Sequence, residues 1–221
     1  MHPVLELINQ RAEEGSQPGQ RTDGRRLGLV VEGGGMRGVV SGGMLAALEH
    51  LGLALVFDAV YGSSAGAING AYFVARGHGA GVSIYYQEIN NRRFIDPLRA
   101  LVGRPIMSLD YLLDEVMTHI KPLDWRAVID SPVRLKIVAT ALARGETVIL
   151  DEYNSQRQLF DRLRASATMP FLAGEPVKLE GELSIDAAVY ESIPFRIALA
   201  DGCSDVLVLL TRPAGVRRAG P

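Results

Sequence analysis

Apolar positions along the chain form short runs that alternate with helical spacings, and this alternation predicts an α/β architecture. Leu27–Val31 is an apolar run of strand length. Glycines follow at 33, 34, 35 and 38, and then Val39, Met44, Leu45, Leu48 and Leu51 recur at helical spacing up to a stop at Gly52. Ala54–Tyr61 predicts a second strand, Gly62–Gly66 a tight turn, and Ala67–Ala75 a helix of small residues. Strand, turn and helix thus occur twice in succession, as in a parallel sheet covered by helices.

Residues 3–14 predict a short amphipathic helix with Val4, Leu5 and Ile8 on one side. Residues 15–26 are polar and carry Gly and Pro, so they read as a linker or loose arm. The expected division is therefore an N-terminal helix and flexible arm over 1–26 and a domain over 27–221. Residues 80–130 read as mainly helical, with Ser108 and Asp124 as N-caps. Leu135–Leu142 and Thr147–Leu150 predict strands around an Ala-Arg-Gly turn, and Gln156–Ser166 an amphipathic helix. Val177–Leu179 and Leu183–Ile185 predict a hairpin across Glu180-Gly181. Pro194–Ala200 predicts a helix, Val206–Leu210 a buried strand, and Arg212 onward a loop. No internal repeat is visible.

Composition narrows the function classes. Hydrophobic residues make up 48% and charged residues 22% of 221 positions, which suits one large domain or at most two small ones. The net charge of −2 argues against a dedicated nucleic-acid binder. Cys203 is the only cysteine, which excludes an intrachain disulfide and a Cys-based zinc site and fits a reducing, cytoplasmic compartment. The first residues read as no signal peptide, and no stretch approaches about 18 uncharged apolar residues. Peripheral contact with a membrane stays open, as does the oligomeric state.

Two motifs carry chemistry. Glu32-Gly33-Gly34-Gly35-Met36-Arg37-Gly38 lies between a strand and a helix. Its glycines let several backbone N–H groups point into one space, which with a helix N-terminus suits a phosphate or the oxyanion of acyl transfer. Gly62-Ser63-Ser64-Ala65-Gly66 matches G-x-S-x-G, the sharp strand-to-helix turn that exposes a nucleophilic serine. A base for Ser64 is not found among the histidines. His2, His50, His78 and His119 leave none for a late acid–His pair, and His50 and His78 read as solvated. A carboxylate must serve, and Asp186 is the best placed, ending a predicted strand before two alanines. Asp151, Asp161 and Asp201 sit in polar contexts typical of caps and surfaces.

Together these residues resemble the patatin-like phospholipase family. The family pattern has a Gly-rich oxyanion loop, a G-x-S-x-G elbow and a later Asp-Gly-Gly or Asp-Gly-Ala. Here these correspond to Gly33–Gly38, Gly62–Gly66 and Asp186-Ala187-Ala188. Ala165-Ser166-Ala167-Thr168-Met169-Pro170 is similar to the family's Ala-Ser-x-x-x-Pro segment. The resemblance runs from Leu27 to about Arg212 and implies a three-layer α/β/α fold with a central, mostly parallel sheet. It implies a serine lipid acyl hydrolase that cleaves carboxylic esters through a Ser64–Asp186 dyad and an acyl-enzyme. It also implies an oxyanion hole from the Gly33, Gly34, Gly35, Arg37 and Gly38 loop, Gly62 and Gly66 as elbow glycines, a lipid or acyl-ester substrate, and no metal or other cofactor. Ala187 departs from the pattern, and alanine there is strained only if φ is positive.

Two other readings remain. One is a non-catalytic acyl- or lipid-binding protein of the same fold. The other is a dinucleotide-binding protein: Gly33, Gly35 and Gly38 also satisfy G-x-G-x-x-G, and Asp58 follows at the spacing of a ribose-binding acid.

Overall fold

In the computed structural model, which describes residues 1–213 and 215, the apolar run Leu27–Val31 forms β1, buried along its whole length. It lies in parallel register between β2 (Ala59–Ser63) and β7 (Asp205–Leu209). A strand with neighbours on both edges and helices on both faces has no solvent side, hence its unbroken apolar sequence. β3 (Arg134–Ala141) continues the parallel set beyond β2. The strands β4 (Glu146–Leu150), β5 (Val177–Leu179) and β6 (Glu182–Asp186) add antiparallel pairings to complete a seven-stranded mixed sheet.

The register of β3 determines where the later strands end. Ile137 and Val138 pair with β2 on one side and β4 on the other, while Ala139–Ala141 pair with β4 and β6. A residue has only two edges, so β6 takes the edge that β2 has just left. The two strands meet nearly end to end at their C-termini.

Leu29, Val31, Val60, Leu135 and Ile137 face one core, covered by α2 (Gly38–His50), α3 (Ala65–Val74), α4 (Ala80–Gln87) and α6 (Gln156–Ala167). The alternate residues Val30, Tyr61 and Val138 face a smaller core with Ala187, Ala198 and Cys203, on the side of α7 (Phe195–Ala200). The result is the three-layer α/β/α arrangement with a mostly parallel sheet. A π-helical stretch, Tyr111–Ile120, and α5 (Trp125–Asp130) fill the expected helical region. Ser108 Oγ accepts from Tyr111 N (3.1 Å) and Asp124 Oδ1 from Ala127 N (3.0 Å), so both serve as caps.

Several expectations shift. The second strand begins at Ala59, because Ala54–Val56 turn as a 3₁₀ helix. Its apolar sequence reflects burial of Val56 and Phe57 rather than strand geometry. α1 (Pro3–Glu13) buries Leu7, Ile8 and Arg11, leaving Leu5 exposed. The last strand is a sheet edge that is mostly half-buried, not a fully buried strand.

Residues 15–26, expected to be loose, are tied down by charge. Arg11 is fully buried and donates to Asp23 (2.7 Å), Asp58 (2.9 Å) and the carbonyls of Val56 and Arg25. Arg21 pairs with Asp58 and Arg25 with Asp205. The tail expected as a loop from Arg212 lies largely outside the described residues.

Candidate active site

Ser64 follows β2 directly and precedes α3, with φ 53° and ψ −127°. A residue with a Cβ rarely adopts this conformation, and it costs about 1–3 kcal/mol unless the surroundings enforce it. The surroundings here are the two elbow glycines. A Cβ on Gly62 would come within 2.5 Å of the Gly66 carbonyl oxygen, and one on Gly66 within 2.3 Å of the Val31 carbonyl oxygen. The turn is therefore pressed against β1 at a separation only glycine permits.

The serine backbone is also held from the α6 side. Ser64 N–H donates to Ser166 Oγ (2.9 Å), and the Ser166 hydroxyl donates to the Val138 carbonyl (2.6 Å). Two residues on, the Thr168 carbonyl accepts the Asp186 N–H (2.9 Å). The Ala165–Pro170 segment thus holds the backbones of both Ser64 and Asp186.

Asp186 ends β6 and is buried. It pairs with Ala139 of β3, one position beyond the Val138–Ser63 pairing. The end-to-end meeting of β2 and β6 brings Ser63, the residue before Ser64, and Asp186 to consecutive positions on one edge of β3. Asp186 Oδ1 accepts Ala188 N–H (2.8 Å), capping the 3₁₀ turn Ala187–Val189, while Thr140 Oγ1 donates to the Asp186 carbonyl (3.3 Å). Ala187 is absent from the positive-φ residues, so alanine stands without backbone strain where the family pattern has glycine.

The glycine loop crosses the same end of the sheet. Gly34 and Gly35 take positive φ, 155° and 56°. Gly33 N–H is used by Ser63 Oγ (3.2 Å) and the Ser192 carbonyl (3.3 Å). Arg37 N–H bonds the Gly34 carbonyl (3.1 Å), and Gly38 N–H closes the 3₁₀ turn Gly35–Arg37. The N–H groups of Gly34 and Gly35 meet no acceptor among the described residues. Of the backbone N–H groups at Gly33, Gly34, Gly35, Arg37 and Gly38, those of Gly34 and Gly35 are the two left unspent among the described residues. The Arg37 side chain is exposed and folds over Gly34.

Three buried contacts fix the loop. Thr211 N–H donates to Glu32 Oε2 (2.6 Å), and Thr211 Oγ1 donates to the Gly33 carbonyl (3.1 Å). Asn69 Nδ2 donates to the Gly38 carbonyl (2.8 Å), and its Oδ1 accepts from Tyr85 OH (3.1 Å). Burial pushes the Tyr85 phenol up, so it remains a donor at neutral pH.

Ser64 and Gly35 line a narrow apolar pocket, partly open to solvent, walled by Ile68, Ile84, Phe94, Met107 and Leu112. A wider recess, lined by Lys136, Asp151, Glu152 and Arg162, is polar and includes neither Ser64 nor Asp186. Mostly apolar walls that include the Ser64 hydroxyl suit an acyl chain better than a charged metabolite.

A sequence model of the patatin-like phospholipase family matches residues 29–199. The chain belongs to the patatin-like phospholipase family. Among curated relatives of this family member, the uncharacterized protein YjjU of Escherichia coli K12 is 27% identical over 200 residues, covering 86% of this chain and 53% of YjjU. Human patatin-like phospholipase domain-containing protein 2 is 27% identical over 168 residues, covering 73% of this chain and 32% of the human protein. The chain spans about half or less of the length of these relatives. The Legionella pneumophila protein VipD aligns in structure with a TM-score of 0.47 at 14% identity, over 80% of this chain and 52% of VipD.

The dinucleotide reading fails on geometry. Asp58 precedes β2 and binds Arg11, Arg21 and Leu27 N–H, at the N-terminal end of the strands. The glycine loop lies at their C-terminal end, so the two halves of that fingerprint are a strand length apart. His50 and His78 are exposed, and no histidine lines the pocket. Asn69 and Thr211 escaped the sequence reading, whereas Thr168 was read only as part of the Ala165–Pro170 segment. Asn69 had a signal, a lone polar side chain within the small apolar helix Ala65–Val74. Thr211 had none, because its bonding depends on residues far away in the chain.

Proposed function

We propose that this chain hydrolyses carboxylic esters of lipids by acyl transfer through Ser64. Asp186 accepts the Ser64 proton as the hydroxyl attacks the acyl carbonyl. The N–H groups of Gly34 and Gly35 stabilise the tetrahedral oxyanion, and the acyl chain occupies the apolar pocket. Collapse releases the alcohol, which leaves with the proton held by Asp186. A water then gives its proton to the same carboxylate and attacks the acyl-enzyme, freeing the fatty acid and Ser64. Phospholipids, lysophospholipids and neutral acylglycerols all carry such an ester.

The observation that carries this reading is the enforced, strained Ser64 at the mouth of an apolar pocket, with Asp186 on the adjoining register of β3. Hydrolysis of p-nitrophenyl butyrate and octanoate tests it, alongside labelling by a fluorophosphonate probe. The expected result is turnover and stoichiometric labelling in the wild type, with both lost in Ser64→Ala. A wild-type chain that neither turns over nor labels would instead be an acyl-binding protein.

A further inference from the structure

The pocket wall leads directly into two apolar tips. Ile95 bridges Met107 in antiparallel fashion, Asp96 N–H donates to the Ile106 carbonyl (2.9 Å), and Ser108 N–H to the Phe94 carbonyl (2.9 Å). These bonds close residues 96–106 into an excursion whose base, Phe94 and Met107, lines the Ser64 pocket. Its crest exposes Leu98, Leu101 and Val102, with Leu101 82% exposed. Met107 N–H also donates to the Leu172 carbonyl (2.7 Å), joining a second tip closed by the Pro170–Gly174 bridge. That tip presents Phe171, 94% exposed.

Two features of these tips are unexplained by folding alone. Phe171 has φ 66°, a left-handed conformation costly for a bulky residue, yet its ring gains no burial in return. Residues 91–105 carry four arginines, at 92, 93, 99 and 104, against one carboxylate, Asp96, in a chain whose net charge is −2. Arg93 is matched by Glu115, whereas Arg92, Arg99 and Arg104 have no carboxylate partner among the described residues. Arg104 and Arg99 line one recess with Ala173 and Gly174, so the basic segment and the Phe171 tip are neighbours.

We propose that the 97–104 crest and the Phe171 tip form one docking surface for an anionic lipid bilayer, oriented so that the pocket opens at the interface. The occupant follows from the combination of apolar crest residues and unmatched arginines, which fits acyl chains beneath anionic headgroups. Continuity through Met107 gives the surface its purpose. The proposal rests on the lipid-ester reading for that purpose but not for the binding itself.

The test is co-sedimentation with sucrose-loaded vesicles of phosphatidylcholine, with and without about 30% phosphatidylserine. Hydrolysis of soluble p-nitrophenyl butyrate is followed in parallel. The wild type is expected to bind anionic vesicles, and Leu101→Glu with Phe171→Glu to lower the bound fraction by about tenfold. Leu51→Glu, at the exposed end of α2, should leave binding unchanged, and Arg92→Glu with Arg104→Glu should remove the preference for anionic lipid. Phe171→Gly should weaken binding while raising the melting temperature, since it relieves the left-handed strain.

Several results would overturn the proposal: no vesicle binding by a wild type that hydrolyses soluble ester, equal loss in Leu51→Glu, or a wild-type dimer split by Leu101→Glu, which would make the surface a self-association face. Vesicle binding without any ester hydrolysis would uphold the surface and defeat the function instead.

Discussion

Ser63 and Asp186 occupy consecutive positions on the same edge of β3, Ser63 opposite Val138 and Asp186 opposite Ala139. One residue step along a strand is about 3.3 Å, so the sheet itself sets the separation between the elbow and the acid. A site positioned by strand register is more rigid than one carried on loops. Asp186→Asn keeps an oxygen to accept the Ala188 N–H but removes the proposed base. It should lower kcat for p-nitrophenyl esters by about 10²–10⁴-fold with an unchanged melting temperature. Retained activity would assign the proton to another group.

Ser64 sets stability against chemistry. Ser64→Ala keeps the strained φ and should melt like the wild type while losing all turnover. Ser64→Gly relaxes the strain and should be more stable than Ser64→Ala by about 1 kcal/mol, about 2–4 °C in melting temperature. Equal melting temperatures for the two variants would show that the elbow stores no strain.

Ser166→Ala leaves the Ser64 N–H and the Val138 carbonyl buried without their shared partner. Each unsatisfied group costs about 1–3 kcal/mol, and the serine backbone also loses its tether. The variant should be destabilised by about 2–4 kcal/mol in urea and should lose kcat more than KM. An unperturbed kcat would make Ser166 a packing residue alone.

Ala187→Gly tests the departure from the family pattern. Ala187 is buried and free of positive φ, so glycine gains nothing there and loses packing. The expected effect is a loss of about 0.5–1 kcal/mol and no rise in ester hydrolysis. A marked gain in activity would show that the alanine restrains the acid.

Acid should loosen the N-terminal arm before the sheet. The Arg11 guanidinium, through its hydrogen bonds, holds the Asp23 carboxyl at about 2, below its usual value near 3.8. A depressed carboxyl stabilises the fold fully above about pH 4, and that contribution fades as the pH falls through about 2. Arg11→Met should cost about 3–5 kcal/mol at pH 7, because it leaves Asp23 and Asp58 partly buried without their shared cation. Urea melts of the wild type and variant at pH 7, 4 and 2.5 should show the difference shrinking with acid.

The sequence disclosed most of the sheet because its strands sit in contrasting surroundings. Leu27–Val31 is apolar at every position, and the Glu180-Gly181 turn separates two short strands. The G-x-S-x-G elbow was legible for a steric reason, since Gly62 and Gly66 mark the close approach to β1. The start of β2 was not, since Leu55 and Val56 are apolar for packing against the core while their backbone turns as a 3₁₀ helix. The face of α1 was misplaced because Arg11 shares the buried side with Leu7 and Ile8, and hydrophobicity cannot flag a buried arginine. The arm read as loose because its restraint comes from charges at Asp58 and Asp205, remote in sequence.

The contacts of Thr211 with Glu32 and Gly33 join positions almost 180 residues apart. During synthesis Ser64, Asp186 and the glycine loop all leave the ribosome before this bond can form. A nascent or clipped chain lacking Thr211 holds Ser64 and Asp186 yet leaves the loop beside them unlatched. Under the proposed mechanism, ester hydrolysis would therefore await the segment that follows β7.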